Sequence, residues 1–514
     1  MKYYHFLLAS FFSLSLLQGQ ISLDPSFGID GITSIAVGLQ NSGSSTVSLL
    51  PDGKFIVSGY GVAGLEGYDF ALAKFTPEGQ LDAGFADNGI SLLDISGYQK
   101  SDFPYSSIVQ DDGKILVVGR SNGLSSLDIV LARYLSNGQL DSLFAYNGHF
   151  TFDYQGLADR GYDVAIQADQ KIVLCGYFTK DDSTSVLMAM RFHPNGLLDS
   201  TFADNGLYIN DFGVSNSRAY KIEVLPNQKL IIAGRAVFDT GKDLVLLQLN
   251  PDGTPDTDFG TNGVSVIDVS NESSDVCFSF LVQEDSSFLI GGDAMINSTH
   301  FAALTKVLPD GTLDMNFGTN GIIIDTLAGI ERITSIINQP DGKILVNAHS
   351  SSVNTLIRFS SNGQLDTDFG NNGVYLLPIS HHLLGDALLF QPDGKLVVLG
   401  KQIIGNKQQM AMVRFITEFA VGVVDFSPVE NILIYPNPIL SETNFEYSLK
   451  QPEQLSLKLF DLSGKCIRTF FSNQEKNQGK HQESLRINPT IPAGNYILRL
   501  SNETGAVSVK ITKG

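Results

Sequence analysis

The chain lacks tryptophan, has three cysteines in 514 residues, and sets 34 lysines and arginines against 54 aspartates and glutamates. Each shortage excludes something. A formal charge of -20 argues against nucleic-acid binding, because phosphate recognition needs a basic face that releases counterions. Cys175, Cys277 and Cys466 lie far apart with no C-x-x-C pair, so neither a zinc site nor a disulfide framework is indicated. Charged residues make up only 17% of the chain while 43% is hydrophobic, too apolar for a disordered polymer. Beyond the N-terminus no apolar run is long enough to span a bilayer, so no transmembrane span is expected in the mature chain.

The one apolar run is at the start. Residues 1–20 read MKYYHFLLASFFSLSLLQGQ, with Lys2 ahead of an apolar stretch from Phe6 to Leu17 and small or polar residues at Gly19 and Gln20. This is the layout of a secretory signal peptide, cleaved near residue 20. The expected location is outside the cytoplasm.

What is abundant is repetition. The segment LDPSFGIDG (23–31) returns as LDAGFADNG, LDSLFAYNG, LDSTFADNG, PDTDFGTNG, LDMNFGTNG and LDTDFGNNG, with its Phe at 27, 85, 144, 202, 259, 317 and 369. A second element, PDGKFIVSG (51–59), alternates with it and also occurs seven times. Each unit reads as four short strands; in the first these are Thr46 to Leu50, Phe55 to Gly59, Phe70 to Phe75 and Ile90 to Leu93. Such a period dictates architecture. The fold class expected is all-β: a seven-bladed β-propeller over residues 21–418, then a linker (419–430) and a small Ig-like β-sandwich (431–514). The phase is informative. The chain opens on a loop and fourth strand (Leu23 to about Val37), while the last unit stops after its third strand (Met410 to Ile416), so the N-terminal strand is expected to close the ring.

The repeated residues have structural readings. Leu81 and Phe85 anchor the long loop, Asp82 caps its amides, and Asn88-Gly89 turns into strand four. Calcium is the competing reading, since Asp256, Asp258 and Asn262 bunch oxygen ligands ahead of Gly263. The spacing is not that of an EF-hand loop and no Glu closes the cage, so no cofactor is expected.

The irregular loops, those joining strands two to three and four to the next strand one, fall together on one face, where binding sits on a rigid scaffold. Arg160, Arg218 and Arg332 occupy matching positions near the start of strand one, with Asp102, Asp159 and Asp275 beside them. These six are the candidate ligand residues at an axial mouth, for an anionic or polar ligand; a self-neutralising polar rim is the alternative. No nucleophile elbow, zincin, phosphate-loop or dinucleotide motif is present, so no catalytic residue is assigned. Absence of Trp weakens a glycan-binding reading, although 17 Tyr offer substitutes.

The last 85 or so residues differ. Tyr435-Pro436-Asn437-Pro438, LFDLSGK ending in Gly464-Lys465, and PAGNYIL with Gly494 and Tyr496 punctuate alternating strands. These motifs resemble the C-terminal sorting domain of type IX secretion cargo from Bacteroidota, and the seven-fold element resembles the delta-60 repeat. The resemblance departs at Ser286-Ser287, in place of Gly-Lys, and at Pro255. It implies the type IX machinery as a partner and a secreted or outer-cell-surface location. The function expected is a non-catalytic binding or adhesion protein, its partner an extracellular protein or glycan. The alternative is a secreted polysaccharide hydrolase or lyase with carboxylates at the axial mouth.

Overall fold

The middle strands of each repeat are unbroken runs of Val, Ile, Leu and Ala, such as Ile115–Asn122 and Leu127–Tyr134, and nearly every residue in them is buried. A strand that reads this way must be covered on both faces, and neighbouring sheets supply the cover. The computed structural model describes residues 21–513 except 63–66, 98–99, 124–125, 182–183, 215, 240, 271–273, 326–329, 351–353, 378–383, 418–428, 437–438, 440, 462–465, 489–490, 493 and 503–505. Residues 1–20, the expected signal peptide, lie outside the described residues, as does most of the expected linker. Every regular element among the described residues is a strand.

The repeats form seven antiparallel sheets, six of four consecutive strands and a last one of five that also includes the short N-terminal strand Ser22–Leu23. The first sheet is Gly43–Leu49, Phe55–Gly61, Asp69–Phe75 and Ile90–Leu93. The last takes Leu384–Phe390, Leu396–Ile404 and Lys407–Ile416 from the C-terminal repeat and its fourth strand, Ile32–Ile35, from the N-terminus, with Ile32 opposite Val413 and Ile35 opposite Met410. Each pair of successive sheets encloses its own apolar cluster. One such cluster joins Phe27, Val37, Phe55 and Val57 to Val397, Leu399, Met410 and Met412, where the last sheet meets the first.

A clamp recurs at the sheet junctions. In the third repeat Arg191 Nε donates to Asp199 Oδ2 at 2.8 Å, its Nη1 donates to the Pro251 carbonyl of the next repeat, and the guanidinium lies 4.8 Å over Phe202. The other Asp199 oxygen accepts from the Thr201 amide, the capping role expected of this Asp. Gly253 of the next repeat sits so close to Phe202 that a Cβ there would fall 2.7 Å from the ring, and the Ala203 amide bonds the Asp252 carbonyl. Arg133 with Asp141 and Phe144, and Arg358 with Asp366 and Phe369, repeat the pairing. Arg414 does the same with Asp24 and Phe27 across the chain ends, and Lys395 reaches Asp24 at 3.2 Å.

The turn into strand four is Asn-Gly with both residues at positive φ, 51° and 98° at Asn88 and Gly89, the type I′ geometry whose twist suits a tight hairpin. The calcium reading of Asp256 fails on its partners: Lys229 and Gln248 both donate to its Oδ2 at 2.6 Å.

The C-terminal strands form a three-stranded sheet (Val429–Tyr435, Glu442–Leu449, Gly479–Arg486) and a four-stranded one (Glu453–Phe460, Cys466–Lys476, Gly494–Ser501, Ala506–Lys513). Their shared core includes Phe445, Tyr447, Leu457, Leu459, Leu485, Tyr496 and Leu498.

Candidate functional site

The first strands of the repeats all carry the same irregularity. Register slips by one residue at the third or fourth position of the pairing in each of the seven sheets, so that the ladder passes over Ser45, Tyr105, Tyr162, Tyr220, Phe278, Thr334 and Asp386. Such bulges re-aim a side chain. Here they bring Tyr105 and Tyr162 to 4.9 Å and Tyr162 and Tyr220 to 5.1 Å between ring centroids, an aromatic arc over three sheets.

The second strands add a layer, because the residue after each repeat's Gly (Ala in the sixth repeat) reaches the same end of the sheet: Tyr60, Arg120, Tyr177, Arg235, Asp293, His349 and Lys401. Arg120 Nε donates to the Tyr105 hydroxyl at 3.0 Å. Arg218 and Arg160 lie 4.3 and 6.0 Å from the Tyr177 ring, Arg332 lies 5.1 Å from that of Phe278, and Lys401 lies 5.8 Å from that of Tyr60.

The carboxylates of this rim each face cations of the protein, although the buried Asp293 Oδ1 has no partner among the described residues. Asp386 meets Lys401 at 3.6 Å and accepts from Ser44 Oγ at 2.8 Å; Asp293 faces His300 at 3.1 Å and Arg332 at 3.9 Å. Burial pushes both carboxyls above their usual range, and the Asp386 charge holds Lys401 more firmly protonated. Burial also lowers His349, which keeps it neutral near pH 7. The rim therefore carries Arg120, Arg160, Arg218, Arg235, Arg332 and Lys401 against Asp293 and Asp386, a basic surface on an acidic chain.

Of the residues expected at this site, Arg160, Arg218 and Arg332 stand at matching register positions, opposite Tyr177, Arg235 and His349. Asp102, Asp159 and Asp275 do not join them. All three are fully buried, because side chains of successive strand residues leave on opposite sides. Asp102 accepts from the Ile95 and Ser96 amides, Asp159 from Tyr154 and Thr179, and Asp275 from Val269 and the Ser270 hydroxyl. Burial raises Asp159 to about 7 and Asp275 to about 6. The tyrosines of the bulges were not foreseen; the residues after each second-element Gly had a visible signal, their fixed place in the repeat.

In the tail, Tyr435 donates to Glu446 and is half exposed, and the Pro436 carbonyl accepts from Thr443. Asn437, Pro438, Gly464 and Lys465 lie outside the described residues. Tyr496 is buried, its hydroxyl donating to the Pro492 carbonyl at 2.8 Å, and Gly494 opens the same strand. Ile439, just past the Pro-Asn-Pro segment, pairs with the final strand through its amide and the Thr512 carbonyl.

These features define a β-propeller repeat protein with an export tail. The β-propeller family described as a domain of unknown function (DUF5122) matches residues 50–85, 110–144, 167–202, 225–259, 339–369 and 391–416, and the secretion system C-terminal sorting domain matches 433–513. The fifth repeat, where Ser286-Ser287 departs from the pattern, is not among the matched segments, yet it folds into its sheet like the others. The sorting domain marks the chain as type IX secretion cargo, a class that is exported and often attached at the cell surface. No protein of curated function matches the sequence. Among solved structures the chain is similar to polysaccharide lyase Uly1, with 8% identity over 73% of this chain and 89% of that one and a TM-score of 0.44. It is similar to Sqt1 from Chaetomium thermophilum at 12% identity, 74% and 97% coverage and TM-score 0.41. Prolyl oligopeptidase B from Galerina marginata matches at 10% identity and TM-score 0.41, over 80% of this chain and 56% of its own length. These likenesses carry no argument about activity. No helix among the described residues is long and apolar enough to cross a membrane.

Proposed function

We propose that the seven sheets are the blades of one closed propeller, completed by the N-terminal strand and followed by an Ig-like sorting sandwich, and that the rim at the start of the first strands binds an anionic extracellular glycan. The observation that carries this reading is the rim's composition. Six basic side chains and an arc of tyrosines gather at one end of a repeat region whose net charge is otherwise strongly negative. Arginine suits carboxylate and sulfate groups through its planar fork of donors, and tyrosine offers an apolar face to a sugar ring.

Binding is favoured over turnover by the carboxylates. Acid–base hydrolysis needs two of them facing one bond, and Asp293 and Asp386 are each tied to a cation or hydroxyl of the protein. The test uses the mature chain with a panel of neutral, uronate-bearing and sulfated polysaccharides, with and without Arg120→Ala, Arg160→Ala, Arg218→Ala and Arg332→Ala combined. Retention of an acidic glycan, weakened at least about tenfold in the variant and by added salt, supports the reading. Equal affinity in the variant overturns it, and release of shortened or unsaturated sugars by the wild type moves the function to the lyase or hydrolase alternative. For export, removal of residues 429–514 is expected to leave the protein in the periplasm.

A further inference from the structure

Two groups of three aspartates converge at sheet junctions, and they occupy the same places in different repeats. Asp69 opens the third strand of the first sheet, Asp94 follows its fourth strand and Asp102 precedes the next sheet; Asp243, Asp268 and Asp275 are their equivalents three repeats on. Within each group one carboxylate oxygen from every residue lies within 4.8 Å of the others. The outer two residues are buried and the middle one, Asp94 or Asp268, is exposed.

Convergence of three like charges is not by itself a site. The second observation is what the buried members leave undone. Asp102 is fully buried and spends Oδ2 on two backbone amides while its Oδ1 has no partner; Asp243, 4% exposed, likewise has an Oδ1 without a partner. A buried, unpartnered carboxylate oxygen is costly unless something cationic meets it. Asp94, Asp102, Asp243 and Asp275 have no ion-pair partner among the described residues.

The other junctions provide the contrast. Asp128, Asp153 and Asp159 hold equivalent places at the second junction, but there both Asp159 oxygens accept from backbone amides and Asp128 accepts from Ser126. At the third junction the places are taken by Val186, Asp211 and Ser217, and the serine hydroxyl donates to the Asn210 carbonyl.

We infer that the two converging groups each hold a calcium ion, which fastens the crossover from the outer strand of one sheet to the inner strand of the next. Three carboxylate oxygens on fixed strands with one open side supply hard ligands and leave room for waters, an arrangement that calcium's loose geometry accepts more readily than magnesium's strict octahedron. The site is separate from the loop at Asp256, whose carboxylate the protein's own lysine already holds.

Native mass spectrometry of the full mature chain, stripped with EDTA and titrated with calcium, is expected to show two ions, with Tm rising by roughly 2–5 °C. Asp94→Asn and Asp268→Asn each remove one ion, the double variant removes both together with the Tm rise, and Asp211→Asn retains two. Because both substituted residues are exposed, the double variant folds, and in EDTA its Tm is at or above that of the wild type. A wild type that retains no calcium, or a double variant that still retains two ions, overturns the inference.

Discussion

The repeat region and the tail are both built from strands, yet their strands are buried in different ways. Ile115–Asn122 buries its first five residues in succession, whereas Glu442–Leu449 alternates buried and half-buried positions along its length. The first pattern belongs to a strand enclosed by sheets on both sides, the second to a strand with one face on a small core. The difference extends to charge. Arg191 and Asp199 of the repeat junction are buried, with a ring and a carbonyl closing over the pair, while in the tail Arg468 is exposed, donating to the Arg486 carbonyl and lying 5.2 Å from the Phe470 ring. A region enclosed on all faces leaves its strand ends and loops to differ, and a two-layer sandwich offers its outer faces and edges instead.

The largest expected effect tests whether the repeats stand as one unit. Deleting residues 21–37 removes the fourth strand of the last sheet together with Phe27 and Val37 from its core, and the cooperative transition of the repeat region in calorimetry is expected to be lost. Deleting 429–514 is expected to leave that transition in place. Retention of the transition after the first deletion would show that the N-terminal strand is an accessory.

Next in size is the clamp. Arg191→Ala strips buried Asp199 of its nearest cation, leaving Lys171 at 3.6 Å and His193 at 3.7 Å, and should cost about 1.5–3 kcal/mol in denaturant unfolding, whereas Arg468→Ala on the tail should cost no more than about 1 kcal/mol. Equal effects at the two sites would erase the contrast between enclosed and open regions.

Acid separates the regions more gently. Although burial opposes it, hydrogen bonds from Ser26 and the Arg414 charge hold Asp24 at about 2, and Thr201 with Arg191 does the same for Asp199. Both values are below the unfolded value of 3.8, so the unfolded chain binds more protons below pH 4. The stability these groups contribute is present above about pH 4 and is lost as pH falls through about 2. Asp199→Asn is expected to flatten that part of the repeat region's pH profile; an unaltered slope counts against the clamp's charge.

The smallest effect is expected at Tyr435, which is half exposed and whose hydroxyl donates to Glu446. Tyr435→Phe should shift tail stability by less than about 1 kcal/mol, measured by thermal unfolding. A larger loss would place this motif residue among the supports of the fold.

Much of the fold was legible in the chain itself. The Pro-Asp-Gly and Asn-Gly turns mark strand ends because only certain backbones make those bends, and the phase of the repeat foretold the pairing of Ile32–Ile35 with the last repeat. A further regularity was present but mute. A basic or amide residue stands eight positions before each loop Asp from Asp82 onward, as in Arg133 and Asp141 or Arg191 and Asp199, and only the folded hairpin shows that the two meet. The candidate site was half legible. Arg160, Arg218 and Arg332 were found through their equivalent places, but a string of letters does not show a bulge, so Tyr105, Tyr162 and Tyr220 went unseen. The same blindness put Asp102, Asp159 and Asp275 beside the arginines, although adjacent strand residues face opposite ways.

By itself the sequence determined the local menu: which segments are strands, where they turn, how often the unit recurs and that the tail is a sorting domain. These follow from periodicity and turn chemistry, which act over a few residues. Only the tertiary structure decided which side chains meet across repeats, from the clamp of Arg414 on Asp24 to the aromatic arc and the converging aspartates, because those contacts depend on sheet register and on the stacking of one sheet against the next.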